Sequence, residues 1–415
     1  MERREAEHNS EPERVASPPD ANERAENLLM QEGQTKPEPQ AQDERRYSAE
    51  EIKKRSRKNL IFGIVSIAII ACVISVLVQL SKTLQEGNSA TFDQMLRAMN
   101  GWYLVLVAAL FLVGFVLDSL KYTLLNASNG YRLGFHKDMR MALTGKYYEN
   151  ITPTATGGQP MQIYYLYRQG MPGANSASVT MVKYGVQMLA WTVFAAVVMG
   201  CLSGTLNNIE DTAMRTTVRV CAWVGFSING MIPITVTFVV FFPRVVAWAA
   251  NLGIRILHAL HIVKDAAGKQ EKVRKWMDDF AGFSRFIYKR PLRFLLLFAL
   301  CMAEPIIQFT IPYFLLLALC GQYVTPGWEL YLTVVGLAMY ATDAAVFIPT
   351  PGNSGAIEAV FMLAFASIAS NVLFWYVLIW RFVLYYSYIV MGMGMNVFDL
   401  VERFRKKRNK ARKRE

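Results

Sequence analysis

The apolar pattern of this chain is interrupted at Ile151-Thr-Pro-Thr-Ala-Thr-Gly-Gly-Gln-Pro160 and again at Ile348-Pro-Thr-Pro-Gly-Asn-Ser-Gly355. Proline removes a backbone donor and glycine destabilises a helix interior, so each stretch should break a helix. At membrane depth a break persists only where protein or a water-filled cavity surrounds it. Paired breaks of this kind lie at the substrate sites of transporters. The two stretches therefore predict a polar site inside a helical membrane protein.

The composition excludes an ordinary soluble protein. Hydrophobic residues make up 53% of the 415 residues, charged residues make up only 18%, and the mean hydropathy is +0.22. Soluble domains are about 25% charged. The apolar residues also form runs long enough to cross a hydrocarbon core of about 30 Å. We predict membrane spans at about 59–80, 102–125, 176–200, 221–242, 292–320 and 371–395.

These runs predict an all-α integral membrane protein with about six to eight transmembrane helices and one or two broken or re-entrant segments. The region 328–370 has two interpretations. Its segments 328–349 and 356–370 form either two spans that meet at the second break or a re-entrant hairpin. Pro153-Thr154 before Gly157 also resembles Pro349-Thr350 before Gly352, which suggests an internal repeat.

The net charge of +12 is concentrated beside the predicted spans. Nine basic residues lie within 403–414 and five within 53–58. Basic residues flank the cytoplasmic ends of membrane helices, so both termini should be cytoplasmic. We expect a disordered cytoplasmic tail over 1–50, a polytopic membrane domain over 51–400 and a basic tail over 401–415. Within the domain, 243–291 should be a cytoplasmic or interfacial segment that contains an amphipathic helix.

Ionisable side chains at membrane depth cost about 2.5 kcal/mol or more each, so they are candidates for function. Some of them have structural explanations: the Asp118 and Lys121 side chains could pair on one helix face, the lysines could reach a span end, and Glu304-Pro305 could mark a kink. The candidates for charge pairing or for a coupling proton are Asp118, Lys121, Lys183, Glu304 and Asp343.

Three further ionisable residues flank the breaks. Arg168 follows the first break, whereas Glu358 and Arg381 follow the second. The planar guanidinium matches two phosphate oxygens, and exposed backbone N–H groups at a helix start also bind anions. We therefore predict a site for a phosphate headgroup formed by these arginines and the glycine-rich breaks.

Other site classes have no support in the sequence. The five cysteines are scattered singly, and His258 and His261 have no apparent third ligand, so we expect no metal. Nucleotide loops and hydrolase motifs such as GxxxxGK[ST], HExxH, GxSxG and GxGxxG are absent from the 415 residues. We therefore expect no cofactor and no nucleic-acid partner.

Two motifs carry a family resemblance: Gly157-Gly-Gln-Pro-Met-Gln-Ile-Tyr-Tyr-Leu-Tyr-Arg-Gln-Gly170 and Phe347-Ile-Pro-Thr-Pro-Gly-Asn-Ser-Gly-Ala-Ile-Glu358. With Arg381, they resemble the lysylphosphatidylglycerol synthase transmembrane region, the flippase-like domain of the bacterial multiple peptide resistance factor. The resemblance covers about 59–395. The chain departs from many relatives at Lys183-Tyr-Gly-Val-Gln187, where they carry an acidic-basic pair and an aspartate. The motif positions are Gly157, Gly158, Arg168, Pro351, Gly352, Gly355, Glu358 and Arg381, which the resemblance implies as substrate-binding residues.

The resemblance implies translocation of an anionic phospholipid, such as aminoacylated phosphatidylglycerol, or of another lipid-linked phosphate across the bacterial inner membrane. In full-length relatives this protects against cationic antimicrobial peptides. The family's lysyltransferase activity belongs to a soluble C-terminal domain, whereas here a basic tail of about twenty residues follows the last predicted span. Two alternatives remain open: a membrane-embedded, tRNA-dependent phosphatidylglycerol lysyltransferase, and a non-catalytic partner of a separate lipid synthase or glycosyltransferase.

Overall fold

The computed structural model describes residues 90–152, 155–259, 265–321, 324–346, 348 and 350–412, together with Ala71 and Ser75. The predicted N-terminal tail lies outside these residues, and so does the predicted span at 59–80 apart from Ala71 and Ser75. Every regular element in the described part is helical, which confirms the all-α fold. The α-helices are α1 (Phe92–Ala98), α2 (Gly101–Ser128), α3 (Phe135–Ile151), α4 (Gly158–Arg168), α5 (Gly173–Cys201), α6 (Thr212–Phe241), α7 (Pro243–Ala259), α8 (Ala266–Tyr288), α9 (Pro291–Cys320), α10 (Trp328–Ala345), α11 (Ala356–Ala369), α12 (Leu373–Arg381) and α13 (Ser387–Arg412).

Five helical segments of the described part are long and apolar enough to cross a membrane. They are Gly101–Ser128, Gly173–Cys201, Thr212–Phe241, Pro291–Cys320 and Leu373–Asp399. The last one joins α12, a short π-helix over Phe382–Tyr386 and the first half of α13. Each coincides with a span predicted from sequence, so the chain is a multi-pass membrane protein.

The spans define two ends of the bundle. The amide of Asn100, just before α2, donates to the carbonyl of Ala318 near the end of α9 (2.8 Å). The Gln187 side-chain amide of α5 donates to the carbonyl of Cys301, and the Trp191 ring packs at a tilt against Phe309, so α5 and α9 run in the same direction. We call the end where α2 begins and α5 and α9 end the upper end, and the opposite end the lower end.

Helices α3 and α4 form a hairpin that enters from the lower end. Asp138, in the first turn of α3, accepts hydrogen bonds from Thr123 (2.8 Å) and Asn126 (2.7 Å) near the end of α2. At the other limb, Leu166 of α4 is fully buried in one cluster with Leu125 of α2. The start of α3 and the end of α4 therefore both lie at the lower end, and the first break lies at the tip. The segment between the predicted spans 102–125 and 176–200 therefore contains this hairpin of two helices rather than a simple loop.

Helices α10 and α11 form a second hairpin that enters from the upper end. The Tyr340 hydroxyl of α10 donates to the carbonyl of Met199 near the end of α5 (2.7 Å). The Ser367 hydroxyl of α11 donates to the carbonyl of Asn208, in the short connection between α5 and α6 (2.9 Å). Both limbs thus reach the same end, and the second break lies at the tip. The tip contacts Arg381, which lies inside the span Leu373–Asp399, so the hairpin turns back within the span and the structure adopts the re-entrant interpretation of 328–370.

The second hairpin is held against α6 by a close contact at Gly225. A Cβ atom at Gly225 would lie 1.9 Å from the backbone oxygen of Asp343, which no L side chain could accommodate without moving a helix. We expect Gly225→Ala to lower the stability by about 1–3 kcal/mol, because overpacking a tight contact costs that much. Thermal unfolding of the purified protein in detergent measures the effect.

Gly230, one and a half turns further along α6, is the matched control. A Cβ atom there would meet its nearest neighbour, Thr192 Cγ2, at an ordinary 3.6 Å. Because alanine favours a helix over glycine, Gly230→Ala should keep or raise the unfolding temperature. Equal melting temperatures for the two variants would contradict the close α6–α10 contact.

Candidate functional site

The tips of the two hairpins meet at a cavity of about 240 Å³ in the middle of the bundle. The first hairpin contributes Lys146, Glu149, Asn150 and Ala155, and the second contributes Thr342, Gly352, Asn353 and Ile357. Side chains of α2, α9 and the last span complete the wall: Leu110, Phe111, Gly114, Glu304, Ile307, Gln308, Ile311, Trp380, Arg381, Leu384, Tyr385 and Tyr388.

The tip of the second hairpin requires its glycines. Gly352 has a φ of +57°, and Gly355 has a φ of +90°. At Gly352 a Cβ atom would also lie 2.0 Å from Cε2 of Tyr385. Glycine is the residue that adopts such φ values without strain and allows this approach. The Pro-Thr-Pro-Gly sequence therefore turns the chain tightly against the last span.

Arg381 ties this tip to the last span. Its Nε donates to Glu358 Oε1 (2.5 Å), and its Nη2 donates to the carbonyl of Gly352 (3.1 Å) and to Ser354 Oγ (3.0 Å). Its guanidinium also lies 4.1 Å from the ring centroid of Tyr385. None of the described residues accepts a hydrogen bond from Nη1. Arg381 thus holds the tip in place and still lines the cavity.

Glu358 completes this arrangement from the first turn of α11. It is fully buried, and its Oε2 accepts a hydrogen bond from the amide of Gly355 (2.6 Å). A carboxylate in this position satisfies a free N–H group at the start of the helix and interacts favourably with the helix dipole. Its other oxygen neutralises Arg381. The Glu358 carboxylate therefore stabilises the second tip and does not itself line the cavity.

Tyr385 links the two tips. Its hydroxyl lies 2.9 Å from the carbonyl oxygen of Asn150 in the first hairpin and 3.3 Å from that of Pro351 in the second. The Asn150 side chain donates to the backbone oxygen of Tyr385 (3.3 Å). Tyr385 lies in the π-helical turn after Arg381, and π-helical turns inside α-helices are frequent at functional sites.

The first tip is closed by Thr152 and the two glycines. Thr152 Oγ1 donates to the carbonyl of Tyr148 (2.6 Å) and accepts from the amide of Gly157 (2.9 Å). A Cβ atom at Gly157 would lie 2.5 Å from Thr152, and one at Gly158 would lie 2.5 Å from Glu149. The Thr-Gly-Gly sequence therefore allows helix α4 to start directly against α3.

A buried ionic cluster adjoins the cavity. Asp118 pairs with Lys183 (2.8 Å) and more loosely with Lys121 (3.5 Å). Glu304 pairs with both Lys121 and Lys146, the latter at 2.9 Å. Lys121 is fully buried, and Gln187 Oε1 accepts a further hydrogen bond from it at 2.7 Å. The cluster joins α2, α5 and α9 to the first hairpin.

Asp343 lies on the other side of the second hairpin, outside the cavity wall. It is fully buried, and its Oδ1 accepts hydrogen bonds from the Trp191 indole (3.3 Å) and the Asn229 amide (3.3 Å). Its Oδ2 has no partner among the described residues. It also lies in the last turn of α10, where the helix dipole disfavours negative charge. Asp343 is therefore a buried carboxyl group with no cation beside it in the described structure.

The structure brings together only part of the predicted site. Arg381, Gly352 and Glu304 line the cavity, while Glu358, Pro351 and Gly355 support the second tip. Arg168 lies at the end of α4, exposed and at the lower end, so it is not placed beside Arg381. The cavity instead contains Lys146, whose position in a helix was not recognised from sequence. Its spacing to Glu149 and Asn150 (i, i+3, i+4) just before the break is the signal that could have identified it.

Charges in the cavity wall are mixed. Lys146, Arg381, Glu149 and Glu304 all line the cavity, and its volume suits a headgroup rather than a whole phospholipid. Such a wall can bind a phosphate through its cations and an amine through its carboxylates. In the described part of the chain, no three His, Cys, Asp or Glu side chains converge as metal ligands would.

Comparison with known proteins agrees with the architecture. Residues 63–392 match the family model described as the lysylphosphatidylglycerol synthase TM region. A relative described as a UPF0104 membrane protein, from Archaeoglobus fulgidus, is 22% identical over 312 residues, which cover 72% of this chain and 88% of that protein. No solved structure matches the chain.

Proposed function

This chain belongs to the lysylphosphatidylglycerol synthase transmembrane-region family, and from that premise we propose that it moves a phospholipid or another lipid-linked phosphate between the leaflets of the bacterial inner membrane. The observation that carries the proposal is the meeting of two oppositely directed hairpins at a polar cavity. Non-helical backbone at membrane depth is stable only where protein buries it or where it lines such a cavity. Transporters place their substrate sites at the interface of inverted repeats, where helices are interrupted.

The residues that line the cavity suit a lipid headgroup, so the headgroup is the part of the cargo that would bind there. Arg381 Nη1 and the Lys146 ammonium can donate to phosphate oxygens, while Glu149 and Glu304 can accept from an amine. The acyl chains would stay in the bilayer during movement. Among lipids with an anionic phosphate, this mixture of charges favours a headgroup that also carries an amino group, such as an aminoacylated phosphatidylglycerol.

The direct test is lipid movement in proteoliposomes. We would reconstitute the purified chain with fluorescent phosphatidylglycerol, its lysyl derivative or a polyprenyl phosphate, and follow leaflet exposure with a membrane-impermeant quencher. We expect the lysyl derivative to move fastest and all protein-free liposomes to remain at background. Background rates for all three lipids, with and without a proton gradient, would contradict the proposal.

We further propose that Asp343 carries a coupling proton, because a buried carboxyl group without a cation is stable only when neutral. Asp343→Asn fixes the neutral state. The variant should therefore lose the dependence of lipid movement on an imposed pH gradient, while gradient-free exchange continues. The measurement is the ratio of rates with and without the gradient.

Glu329→Gln is the matched control, since Glu329 is exposed in the first turn of the same helix α10. This variant should respond to the gradient as the wild type does. A normal response from Asp343→Asn would assign the coupling to another group.

A further inference from the structure

A second charged groove lies away from the central cavity, between helices α7 and α8. These helices pack on the start of α5 at the lower end through a small apolar cluster that includes Ala247, Met277, Phe280 and Ala177. Arg285 of α8 also donates to the carbonyl of Phe241 at the end of α6 (2.9 Å). The groove is therefore fixed to the membrane spans beside the start of α5.

One face of α7 is apolar and exposed. Val245, Trp248, Leu252 and Ile256 follow one another at intervals of three or four residues, and Trp248 is 64% exposed. Helices with this pattern lie in the membrane interface with their apolar face among the lipid chains, and tryptophan favours that depth. The stripe places α7 at the height of the lipid headgroups.

The adjoining face of α7 is basic and forms the groove. A space of about 420 Å³ is lined by Arg244 and Arg255 of α7 and by Arg274 of α8, with Asp278 as the only acidic side chain in its lining. Trp248 and Leu252 of the apolar stripe also contribute to this lining. No described carboxylate lies within ion-pair distance of these three arginines, so their guanidinium donors are available. The lining has a net charge of +2, from three arginines and one aspartate.

Asn251 adds a polar group to the same groove. Its side-chain oxygen is buried and has no hydrogen-bond partner in the described structure. A ligand with a hydroxyl group would satisfy this oxygen, while the arginines bind a phosphate. The apolar stripe beside the groove would hold acyl chains. These three features match an anionic glycerophospholipid seated at the membrane surface.

We propose that the groove formed by Arg244, Asn251, Arg255 and Arg274 binds the headgroup of phosphatidylglycerol or a similar anionic glycerophospholipid, as a second lipid site separate from the central cavity. The site goes beyond the proposed transport function and does not depend on it. Bound lipid would fix the α7–α8 pair against the membrane.

Native mass spectrometry of the full chain in detergent tests this site by titration with phosphatidylglycerol. In Arg255→Ala/Arg274→Ala, we expect one phosphatidylglycerol to bind about tenfold or more weakly, since each interfacial arginine contributes substantially to binding an anionic headgroup. The matched control is Lys272→Ala/Lys275→Ala, which removes two exposed charges from α8 outside the groove lining. The control should bind as the wild type does.

Three outcomes would overturn the proposal. They are unchanged binding in the arginine variant, an equal loss in the lysine control, and displacement of the lipid by millimolar inorganic phosphate. Phosphatidylcholine should bind weakly in all variants. The titration is then repeated with the two groove substitutions added to Arg381→Ala/Glu358→Ala, which alters the central cavity. In this background the groove substitutions should weaken phosphatidylglycerol binding by the same factor, whether or not the chain moves lipid.

Discussion

Arg381→Ala is expected to reduce lipid movement to the background of protein-free liposomes. Two effects combine. The cavity loses the guanidinium that would bind the phosphate of the proposed cargo, and the second tip loses its bonds to Gly352, Ser354 and Glu358. The variant also leaves the Glu358 carboxylate buried without its cation, which costs about 3–5 kcal/mol. Transport rate and thermal unfolding should therefore both fall.

The double variant Arg381→Ala/Glu358→Ala separates these effects. Removing both charges eliminates the unpaired carboxylate, so most of the lost stability should return while transport stays at background. Arg381→Lys should be intermediate, because an ammonium keeps the charge and lacks the planar fork. Arg219→Ala, which removes an exposed arginine from α6, should transport as the wild type does. Wild-type transport by the double variant would remove Arg381 from the site.

Glu304→Gln should destabilise the protein more than any other single change in the ionic cluster. Glu304 is the carboxylate that pairs with both Lys121 and Lys146. Without it, Lys146 has no ion-pair partner among the described residues, and the fully buried Lys121 keeps Asp118 at 3.5 Å as its ion-pair partner and Gln187 as a neutral acceptor. Breaking a buried pair in this way costs about 3–5 kcal/mol. Thermal unfolding in detergent and the yield of monodisperse protein are the measurements.

Lys121→Met is the informative comparison. It also removes one charge from the ionic cluster, but it leaves no carboxylate without a lysine partner. Asp118 still pairs with Lys183 at 2.8 Å, and Glu304 still pairs with Lys146 at 2.9 Å. Every carboxylate therefore keeps a lysine, and the loss of stability should be clearly smaller than for Glu304→Gln. The opposite order would show that the ion pairs do not determine the stability of this region.

The sequence predicted the fold well where a single residue type imposes a constraint. Runs of apolar residues located five described spans, and Pro and Gly located both tips, because neither residue fits a regular helix there. Glu358 and Arg381 were also recognisable as candidate residues, since charges in apolar sequence are costly, whereas their pairing with each other was not predicted.

Features that depend on tertiary contacts were not predictable. Helix α3 is polar enough to resemble a loop, and only its packing among α2, α4 and α13 makes Lys146 part of the cavity. The distance of Arg168 from the cavity follows from the direction of α4, which leads away from the tip. A break in a sequence shows where the chain turns, whereas the direction of the limbs depends on their neighbours.

The opposed hairpins suggest how one polypeptide could adopt two conformations, each open to a different side of the membrane. Each half of the cavity consists of a hairpin followed by a span, and the second half runs upside down relative to the first. If the halves exchange conformations, a structure open to one side of the membrane becomes its counterpart open to the other side. The two states would then have similar free energies. Under the proposed transport function, the direction of net flux would follow the lipid gradient and the proton supply.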